Sequence, residues 1–265
     1  MNKRNIIINS TLLFSIAFIW QMTLHELGHF IAGVLLHSKN TTLFHNYVSQ
    51  DFTGLTVSSQ IIIVAAGPFF SLFIGALFQI ICSNYKKRNS LFLFLLYMSA
   101  FGYICFGGYL MISPFFQEGD TGFIFHLLGF PLWLTIVFAI LGVAFIFLIS
   151  KVLSKYYAEM ATAEIMNDKQ KLKIFATTLI KYPLYIGVVL ATLLNLPVTV
   201  FLSLFYPLGN PMNMFWVYGY VTDTKFNTDN ANKQFDKLNK IQPGLIIPFV
   251  LTIIVNRLLV YGFHF

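Results

Sequence analysis

Charge is what this sequence has least of. Asp, Glu, Lys and Arg make up only 10% of its 265 residues, against the roughly 25% of a soluble domain, and hydrophobic residues make up 57%. That shortage excludes an ordinary water-soluble domain and predicts an integral, multi-pass membrane protein, with the cell membrane as its expected location. Acids are scarcest of all, four Glu and six Asp, so each can be weighed singly. Cysteine is nearly absent. Cys82 and Cys105 lie inside apolar runs without ligand-like spacing, which supports neither a disulfide framework nor a thiolate metal site. Internal repeats and low-complexity tracts are also missing, leaving one domain rather than an array. The formal charge of +7 does not imply nucleic acid as a partner, because the Lys and Arg residues sit in short clusters between apolar runs.

What is plentiful is long apolar sequence, with 30 Phe and 13 Tyr to face lipid and line its interfaces. Crossing a ~30 Å hydrocarbon core takes ~20 apolar residues. Six runs qualify, at 6–36, 58–82, 91–112, 132–150, 183–206 and 244–262. The expected fold is all-α, a polytopic transmembrane helix bundle of about six spans. Its first part, 1–150, holds four of them, and 151–265 adds an interfacial segment and two more in the same membrane domain. Residues 41–57 are polar, Gly-containing and rich in β-branched and aromatic types, reading as a short membrane-associated hairpin. A short extra helix is expected over 121–129, an interfacial helix over 151–173 and an extramembrane loop over 209–242.

The start of the chain has the charge and apolar run of a signal peptide, but no small-x-small site follows Trp20, and a retained span is expected. Eleven of the 17 Lys and Arg fall on one side of the six-span arrangement and five on the other, with Arg257 in the last span set aside. The positive-inside rule then predicts a cytoplasmic N-terminus.

Near the end of the first span stands His25-Glu26-Leu27-Gly28-His29. Four residues on an α-helix bring two side chains to within ~40° in azimuth and one turn in height, so both imidazoles can reach one metal ion. Glu26, beside the first imidazole, is placed to act as general base on water, the arrangement of a zinc hydrolase with one Zn2+ per chain. The bland alternative is coincidence, which is disfavoured because three ionisable residues within five positions of an apolar span are costly unless they pair, bind metal or line a wet cavity.

A catalytic zinc site needs a third protein ligand. Residues 35 and 32, where a soluble metzincin would place His and Gly, are Leu35 and Ala32. His37 is too far along the same helix. Asp120 follows the third span after an irregular Pro114 to Gly119 segment and is the preferred carboxylate. Glu118 and His126 compete with it, and Asp120 could equally be a helix N-cap. Glu159 and Glu164 are further candidates on a later helix, although their spacing from Lys155, Asp168 and Lys169 suits a solvated face. His45 reads as a local hydrogen-bonding residue rather than a ligand. Gly67, Ser71 and Gly75 place small residues at every fourth position of the second span, a pattern for close helix packing.

These elements resemble the site-2 protease family of intramembrane zinc metalloproteases. The resemblance rests on His25-Glu26-Leu27-Gly28-His29 in the first span, Ala66-Gly67-Pro68 in the second, and the segment from Ser113-Pro114 to Asp120 after the third, and it covers about the first half of the chain. It implies zinc ligands at His25, His29 and Asp120, a base at Glu26, and hydrolysis of peptide bonds in membrane or membrane-adjacent proteins. Ser113 stands where the family has Asn before Pro, Asp120 is followed by Thr121-Gly122 rather than Gly, and Ser71 stands where Asn is frequent. The hairpin is similar to a substrate-clamping element. With a cytoplasmic N-terminus the motif, ~30 Å along the helix from Ile6, falls toward the outer side, opposite to the family's common placement. The altered segment motivates a rival expectation, a non-proteolytic zinc-binding membrane scaffold or pseudoprotease. A transporter fits less well, because the charged residues inside the spans concentrate in one motif.

Overall fold

In the computed structural model, which describes residues 1–198, 202–229, 231 and 236–265, the chain is mostly helical. Helix α1 (Lys3–Leu35) leads to strands β1 (Lys39–Leu43) and β2 (Val48–Asp51), then to helices α2 (Val57–Asn84), α3 (Ser90–Ile112), α4 (Asp120–Leu127) and α5 (Leu132–Ala158). Helices α6 (Ala163–Asn167) and α7 (Lys169–Ala176) follow, and a π-helical turn (Thr177–Lys181) joins α7 to α8 (Tyr182–Leu194). Next come α9 (Leu202–Gly209), α10 (Met214–Asp223), α11 (Asp236–Asn239), α12 (Ile246–Leu258) and β3 (Phe263–His264). Among the described residues, six helical runs are long and apolar enough to cross a membrane: α1, α2, α3, α5, the run Lys169–Leu194 and the run Pro243–Tyr261.

Side-chain oxygens cap the starts of the first three long helices. Asn2, Thr56 and Asn89 each accept from the backbone N–H three residues on, satisfying donors that a helix start leaves open. Burial separates the centre from the rim. In the most apolar stretches of α1 and α3, 78% and 83% of residues are buried, against 17% in α5 and 11% around α12. Helices α1 and α3 are therefore the protein-enclosed core, and α5 and α12 present apolar side chains outward. Phe14, Phe18 and Phe101 lock α1 to α3 through edge-to-face contacts, with ring centroids 4.8 Å apart for Phe14 and Phe101 and 5.0 Å for Phe18 and Phe101. Helices α2 and α3 meet backbone to backbone at Gly102, where a Cβ would lie 2.6 Å from both Gly75 N and Ser71 O.

Several boundaries differ from expectation. The fourth long helix runs on to Ala158 instead of stopping at Ser150, because Ser150, Leu153, Ser154 and Tyr157 continue its buried face. The fifth run begins at Lys169 and ends at Leu194 rather than covering 183–206, of which 199–201 lie outside the described residues. Charged Lys169, Lys171 and Lys173 concealed its beginning, yet Leu172, Phe175 and Ala176 on the opposite face are buried. The 209–242 segment, expected as a loop and with 230 and 232–235 outside the described residues, contains α10. Its Met214, Val217, Tyr218 and Val221 are buried at helical spacing, and the helix packs on α5 and α7.

Between α1 and α2, β1 and β2 pair antiparallel, and β3 from the far end of the chain pairs with the other edge of β1 to give the order β2-β1-β3. Asn46 Nδ2 donates to Asn195 O at 3.0 Å, which ties the turn of this sheet to the end of α8. His45 Nε2 meets the same carbonyl at 3.0 Å. Burial pushes the His45 imidazole below its ordinary value in spite of that carbonyl, and Arg257 adds to the effect, so His45 is a neutral anchor.

Gly102→Ala is expected to force α2 from α3 and cost about 1–3 kcal/mol, as overpacking of a filled interior does. Thermal unfolding of the detergent-purified chain checks this, with Gly219→Ala, where a Cβ would meet nothing within 4 Å, leaving the midpoint unchanged or slightly higher.

Candidate metal centre

The site begins with the pitch of α1. His25 and His29 are both buried, and their Nε2 atoms face each other at 3.2 Å. Asp120, which opens α4, brings its Oδ2 to 3.0 Å from His25 Nε2 and 3.3 Å from His29 Nε2. That oxygen is buried and has no other polar partner. Among the described residues these three form a group of metal-ligating side chains with their ligand atoms all within 4.8 Å.

A fit test follows from bond lengths. Zinc bonds of about 2.0–2.1 Å at tetrahedral angles hold ligand atoms about 3.3 Å from one another. The measured separations of 3.0, 3.2 and 3.3 Å agree with that figure. Proton positions point the same way. His29 Nδ1 donates to the Ile63 carbonyl at 2.9 Å, an atom that can only accept, so in the neutral ring its Nε2 carries a lone pair aimed at His25 and Asp120. His25 Nδ1 lies 3.1 Å from Ser71 Oγ and 3.4 Å from Cys105 Sγ. A cation among the three ligand atoms satisfies the donor set of two imidazoles and a carboxylate that zinc accepts.

Neighbouring backbone sets these positions. Helix α2 passes so near α1 that a Cβ at Gly28 would lie 2.7 Å from Ala66 O, and one at Gly67 would fall on the His29 ring. Pro68 supplies no N–H to Val64 O and crowds that turn, next to the Ile63 carbonyl that His29 uses. Asp120 is not an N-cap. Gly119 holds that position without a side-chain bond, and the Asp120 carboxylate turns into the site instead. Thr121 Oγ1 donates to Tyr109 O at 2.5 Å and fastens α4 to α3. Burial alone would raise the Asp120 carboxyl, but the two imidazoles, when protonated, outweigh it and hold the group below the usual carboxylate range.

Glu26 lines the same cavity of about 230 Å³ as His25, His29 and Asp120, alongside Asn46, Val48 and Gln50 of the sheet region. Glu118 also borders it but is exposed and outside the ligand cluster. His126 and His37 are exposed and outside it too. Glu159 differs from the expected solvated face: it is buried and accepts from Arg88 Nη2 at 2.7 Å, which pairs α5 with the loop before α3. Glu164 pairs with Lys171 at 2.5 Å on the surface.

Four residues at the site carried no reading of this kind from sequence. Ser71 orients His25, and its position one turn after Gly67 on the buried face was the available signal. Cys105 abuts the same nitrogen. Tyr109 stacks on His25 at 4.9 Å with 3° between the rings, and Tyr206 closes in at 6.1 Å. No spacing rule links α3 or α9 to α1, so nothing local announced either tyrosine.

Asp120→Ala is expected to abolish stoichiometric zinc in the purified chain, while Glu118→Ala keeps it; Ser71→Ala should weaken zinc affinity by about 10–100-fold, the usual effect of removing a group that orients a ligating His. Titration against a competing chelator reads all three. No protein-family model, curated protein or solved structure matches the chain.

Proposed function

We propose that this chain is a membrane-embedded zinc metalloprotease of the site-2 type that cuts membrane or membrane-adjacent proteins. The observation that carries the reading is the convergence of two imidazole nitrogens and one carboxylate oxygen at 3.0–3.3 Å in a cavity that Glu26 also lines. His25, His29 and Asp120 would hold the zinc ion, which would supply Lewis acidity to polarise a carbonyl and lower the pKa of water to about 7. Glu26 takes a proton from the attacking water and returns it to the departing amine. Ser71 and the Ile63 carbonyl keep the imidazoles aimed, so little reorganisation is needed during the reaction.

A helical substrate hides its carbonyls in hydrogen bonds and must unwind before cleavage. The sheet beside the cavity suits the unwound segment. Strand β1 is flanked by β2 and β3, and Val48 and Gln50 of β2 line the chamber, so an extended peptide is proposed to add as a strand along β2. The buried Gln50 Oε1 and Asn46 Oδ1, neither with a hydrogen-bond partner, are suited to accept from such a peptide. Six helical runs apolar enough to cross a membrane support a multi-pass membrane location, for which the cell membrane is proposed, and the uneven distribution of Lys and Arg supports a cytoplasmic N-terminus.

One observation favours the scaffold or pseudoprotease reading. Ser113 Oγ donates to Leu110 O at 2.8 Å and so caps α3 rather than offering its hydroxyl to the chamber. Glu26→Gln separates the two. The protease reading predicts zinc retained at one per chain and a fall of about 10²–10⁴-fold in cleavage of a reconstituted membrane substrate. Equal cleavage by both forms overturns Glu26 as the base, and no cleavage by the native chain on substrates that accumulate in its absence favours the scaffold.

A further inference from the structure

A second cavity, of about 170 Å³, adjoins the metal chamber, and Tyr109 and Tyr206 line both. Its other walls come from the last turns of α3, including Met111 and Ile112, from Phe116, and from Gly209 and Asn210. The two tyrosine rings stand at the border of both cavities, so a ligand held at His25 and His29 would reach the second space past them. The volume is well under the roughly 300–1,000 Å³ of a pocket for a whole small molecule and suits one side chain.

Two glycines, Gly108 and Gly209, border the space without a side chain. Gly108 lies buried within α3, where glycine costs roughly 0.5–1 kcal/mol relative to alanine. A Cβ there would point at Asn210 Oδ1 at 2.9 Å. At Gly209, whose φ of −91° any residue can adopt, a Cβ would meet nothing within 4 Å. Polar atoms at the rim are left wanting. Asn210 Nδ2 and the Tyr206 hydroxyl are buried without a hydrogen bond of normal geometry, although the Cys105 thiol and the Asn210 amide stand beside Tyr206. An occupant that brings an apolar group into the cavity and a peptide carbonyl to its rim would satisfy both.

We propose that this cavity is the specificity pocket of the site, taking one medium-sized apolar side chain of the substrate residue that lies against the metal. The substrate's identity as a peptide rests on the protease reading above. The adjacency of metal chamber and pocket does not.

Peptide hydroxamates whose side chain is methyl, isobutyl or benzyl, titrated into the zinc-loaded full chain in detergent micelles, test the pocket without requiring proteolysis. The native chain is expected to bind the isobutyl compound at least about tenfold more tightly than the methyl one, the lower end of what a single methylene is worth in an apolar pocket. Gly209→Leu and the milder Gly108→Ala should shrink or abolish that preference with zinc still at one per chain. Met111→Ala should move the preference toward benzyl, a gain that a misfolded chain does not produce. Equal affinity for all three side chains in the native protein, or a preference unchanged by all three substitutions, overturns the proposal and leaves the space to a lipid chain. If the preference follows the cavity but no substrate is cut, the protease reading fails and the pocket stands; if Glu26-dependent cleavage is seen with no such preference, the reverse holds.

Discussion

Two imidazole nitrogens 3.2 Å apart, with a buried carboxylate oxygen near both, make an arrangement that water would relax and that a protein interior does not tolerate unbalanced. The Ile63 carbonyl fixes one ring so that its lone pair, not a proton, faces the other. A divalent cation held there would turn that conflict into three favourable bonds. Most of the surrounding architecture can be understood as holding these three atoms at that separation in a medium where unpaired polar groups cost several kcal/mol each.

The supporting parts are mostly backbone. Gly28 and Gly67 let α1 and α2 approach until the His29 ring lies against α2, and Gly102 lets α3 approach α2. The last turn of α3, the Pro114 to Gly119 segment and the Thr121 hydrogen bond then swing the start of α4 back toward α1. Asp120 thus arrives at the site from a sequence distance of more than 90 residues through three helix contacts, α1 on α2, α2 on α3 and α3 on α4. Aromatic packing of Phe14, Phe18, Tyr97 and Phe101 fixes the half of α1 that precedes the metal motif.

Whatever followed from a period or a spacing was legible in the sequence. The i, i+4 relation of His25 and His29 is a property of the helix itself, and the six apolar runs follow from the thickness of a bilayer. Asp120 was visible as a scarce acid in an irregular segment and was preferred there over Glu118, and its approach to both imidazoles is what three dimensions add. Tyr206 and Cys105 were not legible as site residues, because each meets His25 across a tertiary contact, and Ser71 was legible only as a small residue one turn after Gly67. The fifth run was shifted by its own lysines: Lys169, Lys171 and Lys173 lower the local hydropathy although they share a helix with buried Leu172 and Phe175. In α10 the Asn- and Asp-rich neighbourhood outweighed a helical repeat at Met214, Val217, Tyr218 and Val221 that could have been read.

X-ray absorption at the zinc edge on the purified chain addresses the coordination directly. The account predicts one zinc per chain with two imidazole nitrogens at about 2.0–2.1 Å and a carboxylate oxygen at about 2.0–2.2 Å. A chain that carries no metal after purification in zinc, or a spectrum with fewer than two imidazoles, would contradict it.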